Sequence, residues 1–231
     1  MIMVKDNVIK VRGEIAAVCR AAGRDPGEVT LVAVSKFVPV EAIAEAISAG
    51  IEHIAENRVQ EAVKKFPGII AVHPQVRGHI IGHLQTNKAK DAVMAASLIQ
   101  SIDSARLADE VDKQAAKLGK TADILVQFNT AREPQKFGAA PQEALGLIEH
   151  ISKLEHVRVL GLMAMAPFTE DEGIIREAFS GLRDIRADMV KHFTGHARVN
   201  MKHLSMGMSS DMRIAIEEGS NMVRVGSAIF K

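Results

Sequence analysis

The amino-acid sequence predicts one α/β domain over residues 1–231, a (β/α)₈ TIM barrel carrying an extra N-terminal helix. Short apolar runs alternate with helix-like stretches eight times, the pattern of parallel strands joined by right-handed crossovers. Polar residues recur just past the end of each run, where a barrel gathers its ligand-binding groups. No Pro/Gly/Ser-rich linker, internal repeat or low-complexity tract divides the chain. An open doubly wound sheet shares the alternation, but no Gly-x-Gly-x-x-Gly follows the first strand.

In chain order, residues 7–22 repeat apolar positions at helical spacing until Gly23 and Pro26 stop them. Apolar runs then predict strands at 29–35, 51–55, 79–81, 98–102, 124–128, 157–163, 203–206 and 222–225. Between them, amphipathic spacing predicts helices at 40–49, 58–65, 86–96, 105–118, 141–153, 171–192 and 210–217. The apolar share of 47% supplies a full core, and the 25% of charged residues is ordinary for a globular chain.

A net charge of +1, with bases interleaved among acids, gives no groove for nucleic acid or another polyanion. The single cysteine, Cys19, forms no intramolecular disulfide and reads as a small buried hydrophobe in a reducing cytosol. The opening Met1-Ile2-Met3-Val4-Lys5-Asp6 shows no signal-peptide apolar core, and no run reaches membrane-spanning length. A soluble cytoplasmic protein is expected. The chain contains neither tryptophan nor tyrosine, so no tyrosine can act as an acid or base.

Lys36 closes the first apolar run. Taken alone it could be a lysine leaving the core along its flexible stem. A lysine buried there would have a lowered pKa and a nucleophilic amine, as Schiff-base chemistry requires. Asn57 follows the second strand, His83 and Gln85 the third, Asp103 the fourth, Asn129 the fifth, Met163 and Met165 the sixth. After the seventh, the stretch from Ser205 to Asp211 runs into a helix that Ser209 or Ser210 can cap, leaving N–H groups for an anion. After the eighth, Val225-Gly226-Ser227 repeats the arrangement, and barrels often hold phosphate with these two loops. Arg224 would face a ring nitrogen, an anion or a rim carboxylate. A reactive lysine, a phosphate cradle and a basic group between them describe a site for pyridoxal 5′-phosphate, held as an aldimine on Lys36.

Longer blocks carry a family resemblance. They are Ala21-Ala22-Gly23-Arg24-Asp25-Pro26 with Leu31 to Lys36; Glu56-Asn57 with Val59-Gln60-Glu61; and His79, Ile81-Gly82, Leu84-Gln85 and Asn87-Lys88. Ser101-Ile102-Asp103, Asn129, Glu133, Lys136, Gly138, Gly161-Leu162-Met163, Leu204 to Asp211 and Val223 to Ser227 continue the series in order over almost the whole chain. Together they resemble the YggS/PROSC family of pyridoxal-phosphate homeostasis proteins. That resemblance implies the barrel of alanine racemase, PLP fold type III without the C-terminal β-domain. It further implies the cofactor on Lys36, Asn57 beside it, Arg224 near the pyridine nitrogen, and phosphate contacts from Ser205, Gly226, Ser227 and the Met206 backbone. Ser209 would join the cradle, and Met163 would pack the pocket. An arginine at the ring nitrogen would leave the pyridine unprotonated and a weak electron sink, so a non-catalytic carrier and regulator is expected.

The departures are Ile54-Ala55-Glu56-Asn57-Arg58 for the family's Phe-Gly-Glu-Asn-Tyr, and Gly78-His79-Ile80-Ile81-Gly82 for its Trp-His-Phe-Ile-Gly. The alternative function is an amino-acid racemase, which would need a tyrosine and a second β-rich domain or a histidine or serine in their stead. His79 and His83 are read as structural or pocket-lining, not metal ligands, and Lys136 as a solvated or ligand-entry residue. The implied partners are pyridoxal 5′-phosphate and PLP-dependent apoenzymes, with the chain itself a monomer.

Overall fold

The computed structural model describes residues 4–131, 133 and 136–231. Its strands are β1 (Thr30–Val34), β2 (His53–Glu56), β3 (Arg77–Ile80), β4 (Leu98–Ile102), β5 (Ala122–Gln127), β6 (Val157–Met163), β7 (Val199–Ser205) and β8 (Met222–Val225). All are parallel, each pairs with the next, and β8 pairs back onto β1 to close the barrel. The helices are α1 (Val4–Ala21), α2 (Val40–Ser48), α3 (Val59–Val72), α4 (Ala89–Ala95), α5 (Ala105–Lys117), α6 (Ala144–Ser152), α7 (Glu172–His192), α8 (Met212–Glu217) and α9 (Ser227–Phe230). This is the expected eight-stranded barrel with a leading helix.

The apolar runs become strands because both of their faces are covered. On β1, Leu31 and Ala33 pack outward beneath the helices, while Val32 and Val34 join Ala55, Leu98, Leu125, Met163 and Met222 inside the barrel. Burial on both sides removes the need for polar alternation. β6 and β7 depart from this in their first halves, and β7 starts at Val199 rather than at 203. There Val199 and Met201 are buried while Asn200 and Lys202 face solvent, so its first half reads as an alternating strand, not an apolar run.

α3 also outruns its expected end at 65, passing Pro67 and reaching Val72. A proline inside a helix costs about 3 kcal/mol. Val59, Ala62, Phe66 and Ile69 form one buried stripe on both sides of it, and that burial holds the helix together. Phe66 answers a question raised by the sequence. A Cβ on Gly78 would lie 2.5 Å from the Phe66 ring, so this ring fills the space beside β3 where a larger side chain would sit.

α1 buries Val8, Val11, Ile15 and Cys19, and packs against α2, α8 and α9. Since α8 has only 6 residues, α1 completes the outer layer beside it. Arg24 fastens the junction by donating from Nη1 to the Ile216 and Ser220 carbonyls at 2.6 and 2.8 Å. Cys19 is fully buried, which pushes its thiol pKa up and makes it the inert hydrophobe expected. Among the described residues, no helix is long and apolar enough to cross a membrane.

The barrel wall is uneven. β7 and β8 share one registered pair, Ser205 with Met222. Backbone hydrogen bonds from the N–H groups of Asn221, Met206 and Arg224 to the Leu204, Met222 and Gly207 carbonyls also cross the seam, and side chains supplement them. Ser220 Oγ donates to the Met206 carbonyl at 2.7 Å, and Asn221 Oδ1 accepts from the Leu204 N–H at 2.7 Å.

Candidate functional site

A cavity of about 770 Å³ opens at the C-terminal mouth of the barrel. Lys36 enters it from the end of β1. Its side chain is exposed, so its availability rests on placement and not on the burial expected from the apolar run. The next residue, Phe37, has φ of 63° and stands 89% exposed. A left-handed backbone is costly for an aromatic residue, and such strain collects at functional sites.

The turn is braced from behind. Ser35 Oγ donates to Glu56 Oε1 at 2.8 Å, and Lys65 Nζ donates to the same oxygen at 2.8 Å and to the Ser35 carbonyl at 3.0 Å. Glu56 has 1% of its side chain exposed and Lys65 12%, so this is a buried ion pair fixing the backbone that carries Lys36. On the neighbouring strands, Asn57 and Gly82 line the cavity together. A Cβ on Gly82 would strike the Asn57 carbonyl oxygen, so only glycine permits that approach.

Beside β1 lies the loop after its paired neighbour β8, and beyond that the loop after β7. Gly207, at φ of 97°, turns the loop after β7 where a Cβ would lie 2.5 Å from that of Ala215. Neither Ser209 nor Ser210 caps a helix, contrary to expectation. Asp211 stands at the cap position, and its carboxylate turns back to accept from the Met208 N–H at 2.5 Å. Burial pushes the Asp211 pKa up. The serines are left facing the cavity, where Ser227 Oγ donates to Ser209 Oγ at 3.2 Å. Among the described residues, no backbone carbonyl accepts from the N–H groups of Ser209, Ser210, Gly226 or Ser227. Hydroxyls and uncommitted N–H groups from two loops thus converge, a donor set suited to a phosphate.

Arg224 lines the cavity between Lys36 and β7, 3% exposed. Its Nη1 donates to Ser205 Oγ at 2.7 Å and its Nη2 to the Ala164 carbonyl at 2.9 Å. Both partners are neutral, so the ion pair with a rim carboxylate is not what holds it. Burial lowers its pKa to about 10, against the opposing pull of Asp211, and it stays charged at neutral pH.

The cavity therefore gathers Lys36, Asn57, Ser209, Arg224, Gly226 and Ser227. It does not gather Met163, Ser205 or Met206. Met163 is fully buried in the inner core beneath the cavity. Ser205 is fully buried, its hydroxyl committed to Arg224 and Gln100. The Met206 N–H donates to the Met222 carbonyl at 3.2 Å, so its backbone is not free for phosphate. Met163 and Ser205 face the barrel interior but lie beneath the cavity, and Met206 packs in the outer core. Strand-end position marks Met163 and Ser205, and the family resemblance adds the Met206 backbone.

Several lining residues carried little sequence signal. Phe137 stacks on His83 with ring centroids 3.8 Å apart, and Gln127 Nε2 donates to the Phe137 carbonyl at 3.0 Å. Only its position beside Gly138 in a polar loop could have marked Phe137. Lys136, read as a solvated or ligand-entry residue, donates to the Ala166 carbonyl at 2.7 Å and pairs with Glu133 at 2.5 Å. Its neighbours Pro134 and Gln135 lie outside the described residues. His83 lines the cavity, and His79 is buried inside the barrel.

Residues 11–231 match the family model described as alanine racemase, N-terminal domain. The chain is 37% identical over 225 residues to the pyridoxal phosphate homeostasis protein of Aquifex aeolicus, covering 97% of this chain and 96% of that one. An unknown protein from Bifidobacterium adolescentis has the same fold, with a TM-score of 0.93, 35% identity and 98% and 94% of the two chains covered. PipY of Synechococcus elongatus, solved with PLP bound, superposes with a TM-score of 0.85 at 32% identity over 99% of this chain and 100% of that one. A barrel of this closure and order, matched end to end by such relatives, belongs to the family of pyridoxal phosphate homeostasis proteins built on the alanine racemase N-terminal domain.

Proposed function

We propose that this protein binds pyridoxal 5′-phosphate in the cavity at the barrel mouth, carries it on Lys36, and serves as a non-catalytic reservoir for the cofactor. One observation supports this above the others. A single cavity gathers the Lys36 amine, the Arg224 guanidinium and the serines of the loops after β7 and β8. When bound, the cofactor supplies an aldehyde that condenses with a primary amine and releases water. Lys36 supplies that amine. Ser209, Ser227 and the N–H groups of Ser210 and Gly226 hold the phosphate, and Asn57 and Gly82 form the wall beside the ring.

Arg224 would hold the pyridine nitrogen by donating a hydrogen bond from a proton it keeps, which would leave that nitrogen otherwise unprotonated and the bound ring a weak electron sink. With no tyrosine in the chain, racemisation would have to draw its acid/base group from His83 or a serine of the cavity. Release of the cofactor to PLP-dependent apoenzymes completes the role.

Purified protein is expected to be yellow, and borohydride is expected to fix the cofactor on the peptide containing Lys36. The same adduct in Lys36→Ala would refute the assignment. Loaded protein mixed with single L-amino acids in deuterated water is expected to leave the α-proton in place. Stereospecific exchange at catalytic rates would instead make it a racemase-type enzyme.

A further inference from the structure

A chain of polar side chains crosses the barrel interior beneath the cavity, in a space that barrels ordinarily fill with apolar layers. Ser205 Oγ is 2.7 Å from Gln100 Oε1, Gln100 Nε2 is 2.7 Å from His79 Nδ1, and His79 Nε2 is 3.0 Å from His53 Nδ1. With Arg224 Nη1 at 2.7 Å from Ser205 Oγ, five side chains from β8, β7, β4, β3 and β2 form one continuous line. Ser205, Gln100, His79 and Arg224 are all buried, and His53 at the far end is half-buried.

The direction of every hydrogen bond in this line follows from its first member. A guanidinium only donates, so Ser205 accepts from Arg224 and sends its own hydrogen to Gln100 Oε1. The amide N–H of Gln100 then requires a bare Nδ1 on His79. His79 therefore carries its proton on Nε2 and donates to a bare Nδ1 on His53. Reversal would leave the buried Ser205 hydrogen without an acceptor, at a cost of about 1–3 kcal/mol. Burial holds the His79 pKa well below the usual histidine range, with His53 and His203 acting in the same direction, so the neutral ring this order needs is the stable one.

We propose that Gln100, His79 and His53 are positioning residues for Arg224, forming a one-directional hydrogen-bond relay that fixes the guanidinium's pose toward the cofactor ring. None of the three lines the cavity. They act through Ser205, which the relay holds as an acceptor aimed at Arg224. The proposal rests on the cofactor reading above for its functional meaning, but the relay itself is a property of the protein alone.

Two measurements separate these levels. Long-range ¹H–¹⁵N spectra of histidine-labelled protein without cofactor are expected to show His79 and His53 both protonated on Nε2 and bare on Nδ1. In Gln100→Glu the carboxylate accepts from both neighbours, so His79 is expected to move its proton to Nδ1. On loaded protein, Gln100→Leu is expected to weaken cofactor retention about tenfold and to shift its absorbance, the scale of one charge-assisted hydrogen bond. His53→Leu is expected to do the same more weakly, and His53→Gln, which can still accept from His79, to restore wild-type behaviour. Should Gln100→Leu fail to fold, the His53 pair decides.

Protonation of His79 on Nδ1 in the wild type would overturn the relay, as would unchanged retention and spectrum in Gln100→Leu and His53→Leu. A protein that takes up no cofactor refutes the proposed function while the tautomer measurement still judges the relay. Loss of the adduct in Lys36→Ala with no effect of the relay variants refutes the relay alone.

Discussion

Two polar clusters flank the cavity and treat buried charge in opposite ways. Behind Lys36, the Glu56 carboxylate and the Lys65 ammonium neutralise each other at 2.8 Å, and the Ser35 hydroxyl satisfies the same oxygen. Beneath Arg224, the guanidinium is met by a serine hydroxyl and a backbone carbonyl, both neutral. The first cluster touches no ligand and only has to hold a turn, so an ion pair serves. The second presents a charged group to the cavity, and a carboxylate on it would compete with the ligand. Neutral acceptors orient the arginine without quenching it.

The contrast sets the size of the effects expected on mutation. Glu56→Ala strands a buried ammonium, and should lower stability by about 3–5 kcal/mol in urea unfolding. Replacing both partners, as Glu56→Leu with Lys65→Met, should recover most of that loss. Failure to recover would mean that Glu56 acts through Ser35 rather than through the pair.

A smaller, pH-dependent effect belongs to the barrel interior. Burial, with Lys202, His53 and Arg186 against a weaker opposing Asp123, lowers the His203 pKa to about 4. The unfolded chain binds this proton near pH 6.5 and the folded one only near 4, so stability is full above the unfolded value and falls as pH drops through that window. Wild-type protein should therefore lose more stability between pH 7 and 4.5 than His203→Asn does, measured by urea midpoints at both values. Equal losses would place the acid sensitivity elsewhere.

The smallest effect lies outside both clusters. Arg158 meets Asp123 at 2.7 Å with 52% of its side chain exposed, and Arg158→Gln should change stability by less than about 1 kcal/mol. A larger loss would erase the distinction between surface pairs and the buried pair at Glu56.

Lys36, Arg224, Gly226 and Ser227 were legible in the sequence because each sits where a strand ends, and barrels place ligand groups there. Ser205 and Met163 were placed at the rim by the same rule, and Met206 by the family resemblance. The rule finds the strand end but not its depth below the cavity. Strand register shifts between β5 and β6 and between β6 and β7 offset the strand ends, so chain position alone does not give that depth. Gly161, at φ of 151°, marks one such point: a Cβ there would collide with the His203 carbonyl. Lys65 was invisible for another reason. Its partner is on β2, and nothing local marks one helical lysine as the buried one. The polar residues of the relay were scattered over strands β2, β3, β4 and β7, and only closure of the barrel brings them into line.

The seam between β7 and β8 has a mechanical meaning. Registers shift between β4 and β5, β5 and β6, and β6 and β7, but each of those strand pairs keeps at least two registered positions. Here one registered pair and a few backbone hydrogen bonds are supplemented by the side chains of Ser220 and Asn221. Both loops that face the cavity with serines spring from this seam. The serine edge of the cavity thus hangs from the most sparsely registered joint of the wall, while Lys36 sits on a turn braced by the Glu56–Lys65 pair.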